Sequence, residues 1–135
     1  MRRSGPAVVA AVLLGLEGAA LTAIGLSELL ALGAGDASSM ASGIALIVLT
    51  LLGAFALVAF AFGVLRRASW ARSGGIVFQV LAIALALAAF SIRPTPWPFV
   101  LVLGIAGTAG LVALIATVRR EGAEDRRLQR PPSDD

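Results

Sequence analysis

The sequence contains no cysteine and no histidine. The lack of cysteine excludes disulfides, thiolate metal sites and thiol nucleophiles. The lack of histidine removes the commonest metal ligand and the usual general base at neutral pH. The acids available in the apolar part of the chain are Glu17, Glu28 and Asp36, and none has a paired base at catalytic spacing. We therefore predict that the protein is not an enzyme and holds no metal or cofactor.

Charged residues are also scarce, at 14% of the chain, whereas 59% of the residues are hydrophobic. A water-soluble domain of this size needs far more polar surface to cover its core. A lipid bilayer removes the conflict, because the protein surface there is apolar too. The sequence pI of about 11.3 does not indicate nucleic-acid binding, since the arginines flank apolar runs instead of forming a basic face. We predict a membrane protein whose arginines contact anionic lipid headgroups, with no nucleic-acid partner.

Four apolar runs fill the chain, and alanine and leucine dominate them. A helix needs about 20 apolar residues to cross a hydrocarbon core of about 30 Å, and the period-2 alternation of strands is absent. Transmembrane helices are predicted over about 6–32, 40–65, 74–92 and 98–118. Short loops make consecutive helices antiparallel neighbours. The predicted fold is all-α, an antiparallel up-down bundle of four transmembrane helices within residues 1–120.

The remaining residues, 121–135, form a charged tail. Its first half is expected to extend the fourth helix with paired charges. Its last residues are expected to be disordered.

The arginines are distributed unequally around the four runs. Ten of the eleven lie on one side of the predicted bundle, and only Arg93 lies on the other. By the positive-inside rule, both termini are predicted to be cytoplasmic, in a multi-pass protein of the cytoplasmic (inner) membrane. The start of the chain also resembles a signal peptide, but its apolar run is too long and contains Glu17.

Both tryptophans stand at predicted membrane interfaces, where amphipathic rings anchor helix ends. Trp97 lies where the fourth helix enters the membrane, and Trp70 lies in a basic loop with Arg66, Arg67 and Arg72. The favoured interpretation of this loop is a topology signal with an interfacial anchor. The alternative is a docking site for an anionic headgroup or a protein partner.

Glu17 is the most informative polar residue, because it lies about 16 Å into the first helix, near the bilayer midplane. A charge there costs at least about 2.5 kcal/mol, so we expect a protonated carboxyl that donates a hydrogen bond to another helix. Thr108, at about 15 Å depth on the fourth helix, is the preferred partner. Gln79 is the other candidate, but only about five residues into the predicted third helix.

Glu28 follows Glu17 by eleven residues, which places both carboxyls on one stripe of the first helix, about 16 Å apart. One interpretation is that Glu17 is a structural hydrogen-bond donor and that Glu28 pairs with Arg93 at the interface. The others are half of a proton or cation path, and a contact with a partner protein.

Small residues recur along the predicted helices. On the first helix they follow a heptad-like spacing, which permits close approach of a neighbouring backbone. The members of this stripe are Ala11, Gly15, Gly18, Thr22 and Gly25.

Three local features together carry a family resemblance. They are the acid in an apolar context at Leu14–Ala19, the string Arg67-Ala68-Ser69-Trp70-Ala71-Arg72, and the glutamine at position 79. With these, residues 5 to 120 resemble the small four-span integral membrane proteins found in large numbers in actinobacteria, a family without a characterised activity. The resemblance implies membrane location and topology, and it implies no activity.

The function predicted from the sequence is a non-enzymatic accessory or helix-packing component of the cytoplasmic membrane. The alternative is a small oligomeric channel or proton-coupled transporter that uses Glu17. The partners left open are further copies of the chain and another membrane protein.

Overall fold

The computed structural model describes residues 5–33 and 39–129. The helices are α1 (Gly5–Gly33), α2 (Met40–Leu65), α3 (Ser69–Phe90) and α4 (Trp97–Leu128), and no strand occurs within these two ranges. The disorder expected at the end of the tail concerns residues 130–135, which lie outside the described ranges.

All four helices are long and apolar enough to cross a membrane. The shortest, α3, has 22 residues, which span about 33 Å against a hydrocarbon core of about 30 Å. Large apolar side chains such as Leu49 on α2 and Leu87 on α3 are exposed on the outside of the bundle. Extensive apolar surface of this kind fits a lipid environment. The predicted all-α transmembrane bundle is therefore confirmed, and the protein is a multi-pass membrane protein.

The helices form two antiparallel hairpins, α1–α2 and α3–α4, which meet where α1 contacts α4 and α2 contacts α3. In the first hairpin, Gly18 lies against Val58, and Gly25, further along α1, lies against Leu51, earlier in α2. The missing glycine side chains let the two backbones approach closely. Of the predicted stripe of small residues, Gly18 and Gly25 therefore contact α2, whereas a side chain at Gly15 would meet nothing within 4 Å.

The tightest packing lies at the end of the bundle where α2 turns into α3. Large side chains from three helices, Leu14, Leu57 and Leu114, are almost fully buried there. Alanines and glycines account for much of the remaining buried surface of the helices. Small side chains favour close packing of transmembrane helices, because lipid supplies little hydrophobic drive for their association.

Local sequence signals fix the helix ends. Ser39 caps α2, since its side-chain oxygen accepts a hydrogen bond from the Ser42 backbone N–H at 3.3 Å. At the other end of α2, the N–H of Ala68 bonds to the Gly63 carbonyl and the N–H of Arg67 to the Val64 carbonyl, which is the Schellman pattern. Arg67 has a φ of 57°, in the left-handed region that glycine normally occupies. For a residue with a side chain, this conformation costs about 1–2 kcal/mol.

Two helices differ in extent from the predicted spans. The Schellman turn is so short that α3 begins at Ser69, five residues before the predicted start, and Trp70 and Arg72 belong to its first turn. α4 continues to Leu128, ten residues past the predicted span. Its 32 residues reach about 48 Å, so one end of α4 extends beyond a hydrocarbon core of about 30 Å.

Replacing Gly18 by alanine should destabilise the bundle, because the new Cβ would lie 2.8 Å from a Val58 methyl and 3.2 Å from the Ala54 carbonyl oxygen. Overpacking of this kind costs about 1–3 kcal/mol. Gly15→Ala on the same helix is the matched control, and it should be neutral or stabilising, since alanine is the better helix former. Thermal unfolding in detergent micelles measures both. Equal melting temperatures for the two variants would contradict the packing described.

Candidate functional site

The central polar contact of the bundle joins Glu17 on α1 to Gln79 on α3. Gln79 Nε2 donates a hydrogen bond of 2.7 Å to Glu17 Oε2. Gln79 is fully buried, with an exposed fraction of 0%. Because α1 belongs to one hairpin and α3 to the other, this hydrogen bond connects the two hairpins through the interior of the bundle.

The position of Gln79 depends on the early start of α3. Ten residues separate it from Ser69, so it lies about 15 Å along the helix, close to the depth of Glu17. Its side chain lies against α4, where a Cβ at Gly110 would stand 2.5 Å from Gln79 Nε2. The absence of a side chain at position 110 therefore leaves the space that Gln79 occupies.

Thr108, the partner preferred on sequence grounds, is not the partner of Glu17, and that prediction was wrong. Its side chain is exposed, and its hydroxyl donates to the Gly104 carbonyl at 2.7 Å on its own helix. The predicted start of α3 places Gln79 too shallow by five residues, because the helix begins at Ser69. Depth also says nothing about the face of the helix on which a residue lies.

Two buried oxygens of the Glu17–Gln79 pair, Glu17 Oε1 and Gln79 Oε1, have no hydrogen-bond partner among the described residues. The direction of the observed bond also differs from the expected one, since the amide of Gln79 donates and the carboxyl accepts. A protonated carboxyl carries one donor, and Gln79 Oε1 is an unused acceptor on the same partner side chain. The pair can therefore accommodate a neutral Glu17.

Glu28 does not form the predicted pair with Arg93, and that prediction was wrong. Within the described residues, the salt bridges involve other side chains. Arg93 donates instead to the Thr95 hydroxyl at 3.3 Å, two residues further along the chain. Glu28 Oε2 is buried without a hydrogen-bond partner.

A second polar cluster, which the sequence did not predict, lies where the α2–α3 turn meets α4. Glu121 forms an ion pair with Arg72 and lies 4.0 Å from Arg67. Arg67 also lies 3.7 Å from Glu124. Glu121 is only 8% exposed, whereas the Glu124 side chain is 64% exposed. We call these four residues the arginine–glutamate cluster.

The remaining residues of the basic loop and the second tryptophan lie at the surface. Arg66 is exposed at the end of α2. Trp70 is 56% exposed and its ring centroid lies 6.0 Å from that of Phe60. Trp97 is 53% exposed and packs edge-to-face on Phe90 at 5.5 Å. Both rings thus combine an exposed surface with an aromatic contact, and their role as interfacial anchors stays a prediction.

Two residues lie on stripes that the sequence contains: Glu121, which was not predicted, and Gln79, which was the second choice as partner of Glu17. Glu121 comes seven residues after the buried Leu114 and four after the buried Thr117, so it continues the inward face of α4. Gln79 belongs to a stripe of small residues spaced by three or four on α3. The buried residues of this stripe are Ala71, Gly75, Gln79, Ala82, Ala86 and Ala89.

Within residues 5–33 and 39–129, no group of three or more acidic side chains is placed to hold a metal ion. The polar groups at hand are a carboxyl with an amide inside the bundle, and arginines with carboxylates at its end. These groups can hold the helices together through hydrogen bonds and ion pairs, and the carboxyl of Glu17 can bind or release a proton.

Comparisons with models of protein families, with curated proteins and with solved structures found no match for this chain. The resemblance to small four-span actinobacterial membrane proteins therefore stays a prediction, and the function has to be argued from the geometry of the chain itself.

Replacing Gln79 by leucine should destabilise the protein by about 1–3 kcal/mol, because the carboxyl of Glu17 would remain buried without its donor. Glu17→Gln should cost less than about 1 kcal/mol, since an amide at position 17 still accepts the hydrogen bond. In the double variant Glu17→Leu/Gln79→Leu both polar groups are removed, and we expect much of the lost stability to return. Unfolding of the three variants in mixed micelles gives the comparison. A Gln79→Leu protein as stable as wild type would show that the hydrogen bond does not join the hairpins.

Glu121→Gln should lower the free energy of unfolding by about 1.5–3 kcal/mol, the usual worth of hydrogen bonds to charged groups. Glu124→Gln, three residues away on the same helix, is the matched control. Its ion pair with Arg67 is largely exposed, and such pairs contribute about 0.2–1 kcal/mol. The same micelle unfolding assay applies, and equal losses for the two variants would contradict the burial assigned to Glu121.

Proposed function

We propose that the protein is a non-enzymatic accessory or helix-packing component of the cytoplasmic membrane. In this role it acts through contacts of its transmembrane helices with another membrane protein or with further copies of itself. The observation that carries the proposal is the hydrogen bond between two polar side chains of the spans inside the bundle, from the amide of Gln79 to the carboxyl of Glu17.

Three of the four threonine hydroxyls in the helices support the same conclusion. Thr22, Thr108 and Thr117 each donate to the backbone carbonyl four residues earlier on their own helix. A hydroxyl used in this way satisfies its own helix and offers little to a substrate.

The packing around Glu17 argues against a proton or cation path through a single bundle, and the alternative of a channel or transporter would need further copies of the chain. Leu14 precedes Glu17 by one helical turn on α1 and is fully buried, together with Leu57 and Leu114 from α2 and α4. A proton or cation path through a single bundle needs continuous polar or hydrated surface. The apolar packing of these three side chains interrupts such a path toward the α2–α3 turn.

The arginine distribution supports a cytoplasmic location for both termini. Arg67 and Arg72, at the α2–α3 turn, contact Glu121 on the extension of α4. Two of the arginine-rich segments therefore meet at one end of the bundle, whereas Arg93 lies in the turn between α3 and α4. The positive-inside rule assigns the arginine-rich end to the cytoplasm.

The first experiment is to extract the tagged full-length chain from its own membranes in mild detergent and to measure the mass and composition of the complex. We expect a stoichiometric complex with another membrane protein or a defined homo-oligomer, which persists in Glu17→Gln. We also expect liposomes containing the purified protein to be no more permeable to protons or cations than empty ones.

Permeability in wild-type liposomes that disappears in Glu17→Gln, while the variant keeps its unfolding temperature, would overturn the proposal in favour of the channel. Turnover of a substrate by the purified protein alone would overturn it in favour of an enzyme. A monomer without companions in every mild detergent tested would also contradict it.

A further inference from the structure

A long groove runs along the outside of the bundle between α1 and α4. On α1 it is lined by Pro6, Val9 and Leu13, and on α4 by residues from Gly104 to Ala116. Its volume is about 810 Å³, within the range of sites that hold small ligands. The groove opens to the side of the bundle, where the bilayer lies.

The lining of the groove is apolar except for one hydroxyl. Thr108 is the polar side chain among the lining residues, and its hydroxyl already donates to the Gly104 carbonyl. The groove therefore offers contact surface to a hydrocarbon chain and little hydrogen bonding to a polar ligand.

The length of the groove matches one leaflet of a bilayer. From Gly104 to Ala116 the helix rises about 18 Å, and half of a hydrocarbon core is about 15 Å thick. An extended acyl chain of one leaflet thus has the length to lie along the groove from the membrane surface to the midplane.

Two arginines stand at the end of the groove that points toward the tail. Arg119 follows the groove residue Val112 by seven positions and Arg120 follows Ala109 by eleven, so both continue the groove face of α4. They lie about 5 Å beyond Ala116, where lipid headgroups begin. Both are exposed, and within the described residues neither takes part in a salt bridge or a side-chain hydrogen bond.

The extension of α4 separates its charges by face. Glu121 and Glu124 point toward the α2–α3 turn and pair with arginines of the bundle. Arg126 and Arg127 repeat Arg119 and Arg120 after seven residues, and so continue the groove face. Of the three acids in this extension, Glu121 is thus directed inward and Glu124 and Asp125 are exposed, whereas the four arginines occupy the groove face.

We propose that the groove between α1 and α4 binds one acyl chain of an anionic phospholipid, with its phosphate held by Arg119 and Arg120. The charge complementarity between two guanidinium groups and a phosphate selects this occupant. A transmembrane helix would fit the apolar lining as well, but it brings no anion to the end of the groove. This site goes beyond the proposed accessory role and does not depend on it.

Native mass spectrometry of the full-length chain, titrated with dioleoylphosphatidylglycerol or dioleoylphosphatidylcholine, tests the site. The two lipids share their acyl chains and differ in headgroup charge, and wild type should bind the first more tightly. Arg119→Gln/Arg120→Gln should weaken phosphatidylglycerol binding about tenfold or more, since each arginine near an anionic headgroup contributes about fivefold. The matched control Arg126→Gln/Arg127→Gln removes the same charge about 10 Å further away and should change binding less than about threefold.

A second pair of variants separates the groove from a general attraction of the basic surface. Ala109→Phe and Val112→Phe fill the groove from exposed positions on α4 and leave the charge unchanged. Each should abolish the first phosphatidylglycerol site while the protein keeps its unfolding temperature.

Three results would overturn the proposal. The first is undiminished phosphatidylglycerol binding in both groove variants, and the second is equal weakening by the two arginine pairs, because either would indicate annular lipid on a basic surface. The third concerns Ala109→Cys, which introduces the single cysteine of the chain. Oxidative crosslinking of this variant to a second copy would indicate that a helix of that copy, and not a lipid, occupies the groove.

Discussion

The interior of a bilayer contains no water to satisfy a polar group, and this constraint determines how the chain folds. The backbone meets it by forming helices. Short hydroxyl side chains meet it locally, as Thr22 and Thr117 do by bonding to carbonyls four residues earlier. A glutamate has no such local option for its carboxyl and must find a donor on another helix. The bond from Gln79 to Glu17 therefore joins the two hairpins inside the bundle.

Small residues make this contact possible. A long amide on α3 can reach across to α1 only if α4 leaves room, and Gly110 provides it. Gly107, one turn earlier, lies directly against the backbone of α3 at Gln79, so the two glycines both bring the helices together and leave space for the side chain. Close helix packing in lipid usually stabilises a bundle through van der Waals contacts and backbone approach. Here the same glycines also allow Gln79 to reach Glu17, so the positions that permit close packing also permit the polar contact.

The fold could be predicted from the sequence because lipid imposes its requirements on composition, through apolar runs of sufficient length and arginines between them. The site could be predicted only in part. Glu17 and Gln79 were both identified as candidates, but their pairing depends on where α3 begins, and that is set by a turn of three residues in which Arg67 adopts a left-handed conformation. The continuation of α4 into the charged segment was expected, and the helix does run to Leu128. Glu121 was missed because the charges there were expected to pair along the same helix, whereas Glu121 pairs with Arg67 and Arg72 at the α2–α3 turn.

The arginines that the positive-inside rule counts as equivalent serve different roles in the folded chain. Arg67 and Arg72 lie against Glu121, and an arginine neutralised by an acid of its own bundle adds little to the attraction for a charged membrane surface. Arg119 and Arg120 form no salt bridge within the described residues. The proposed contact with headgroups therefore involves the arginines outside these pairs, which at this end of the bundle lie, within the described residues, on α4 and at Arg66. Orientation in the membrane is set during insertion, before these pairs form. The same residues can therefore direct topology first and, in the folded protein, divide between holding the bundle together and facing the lipid.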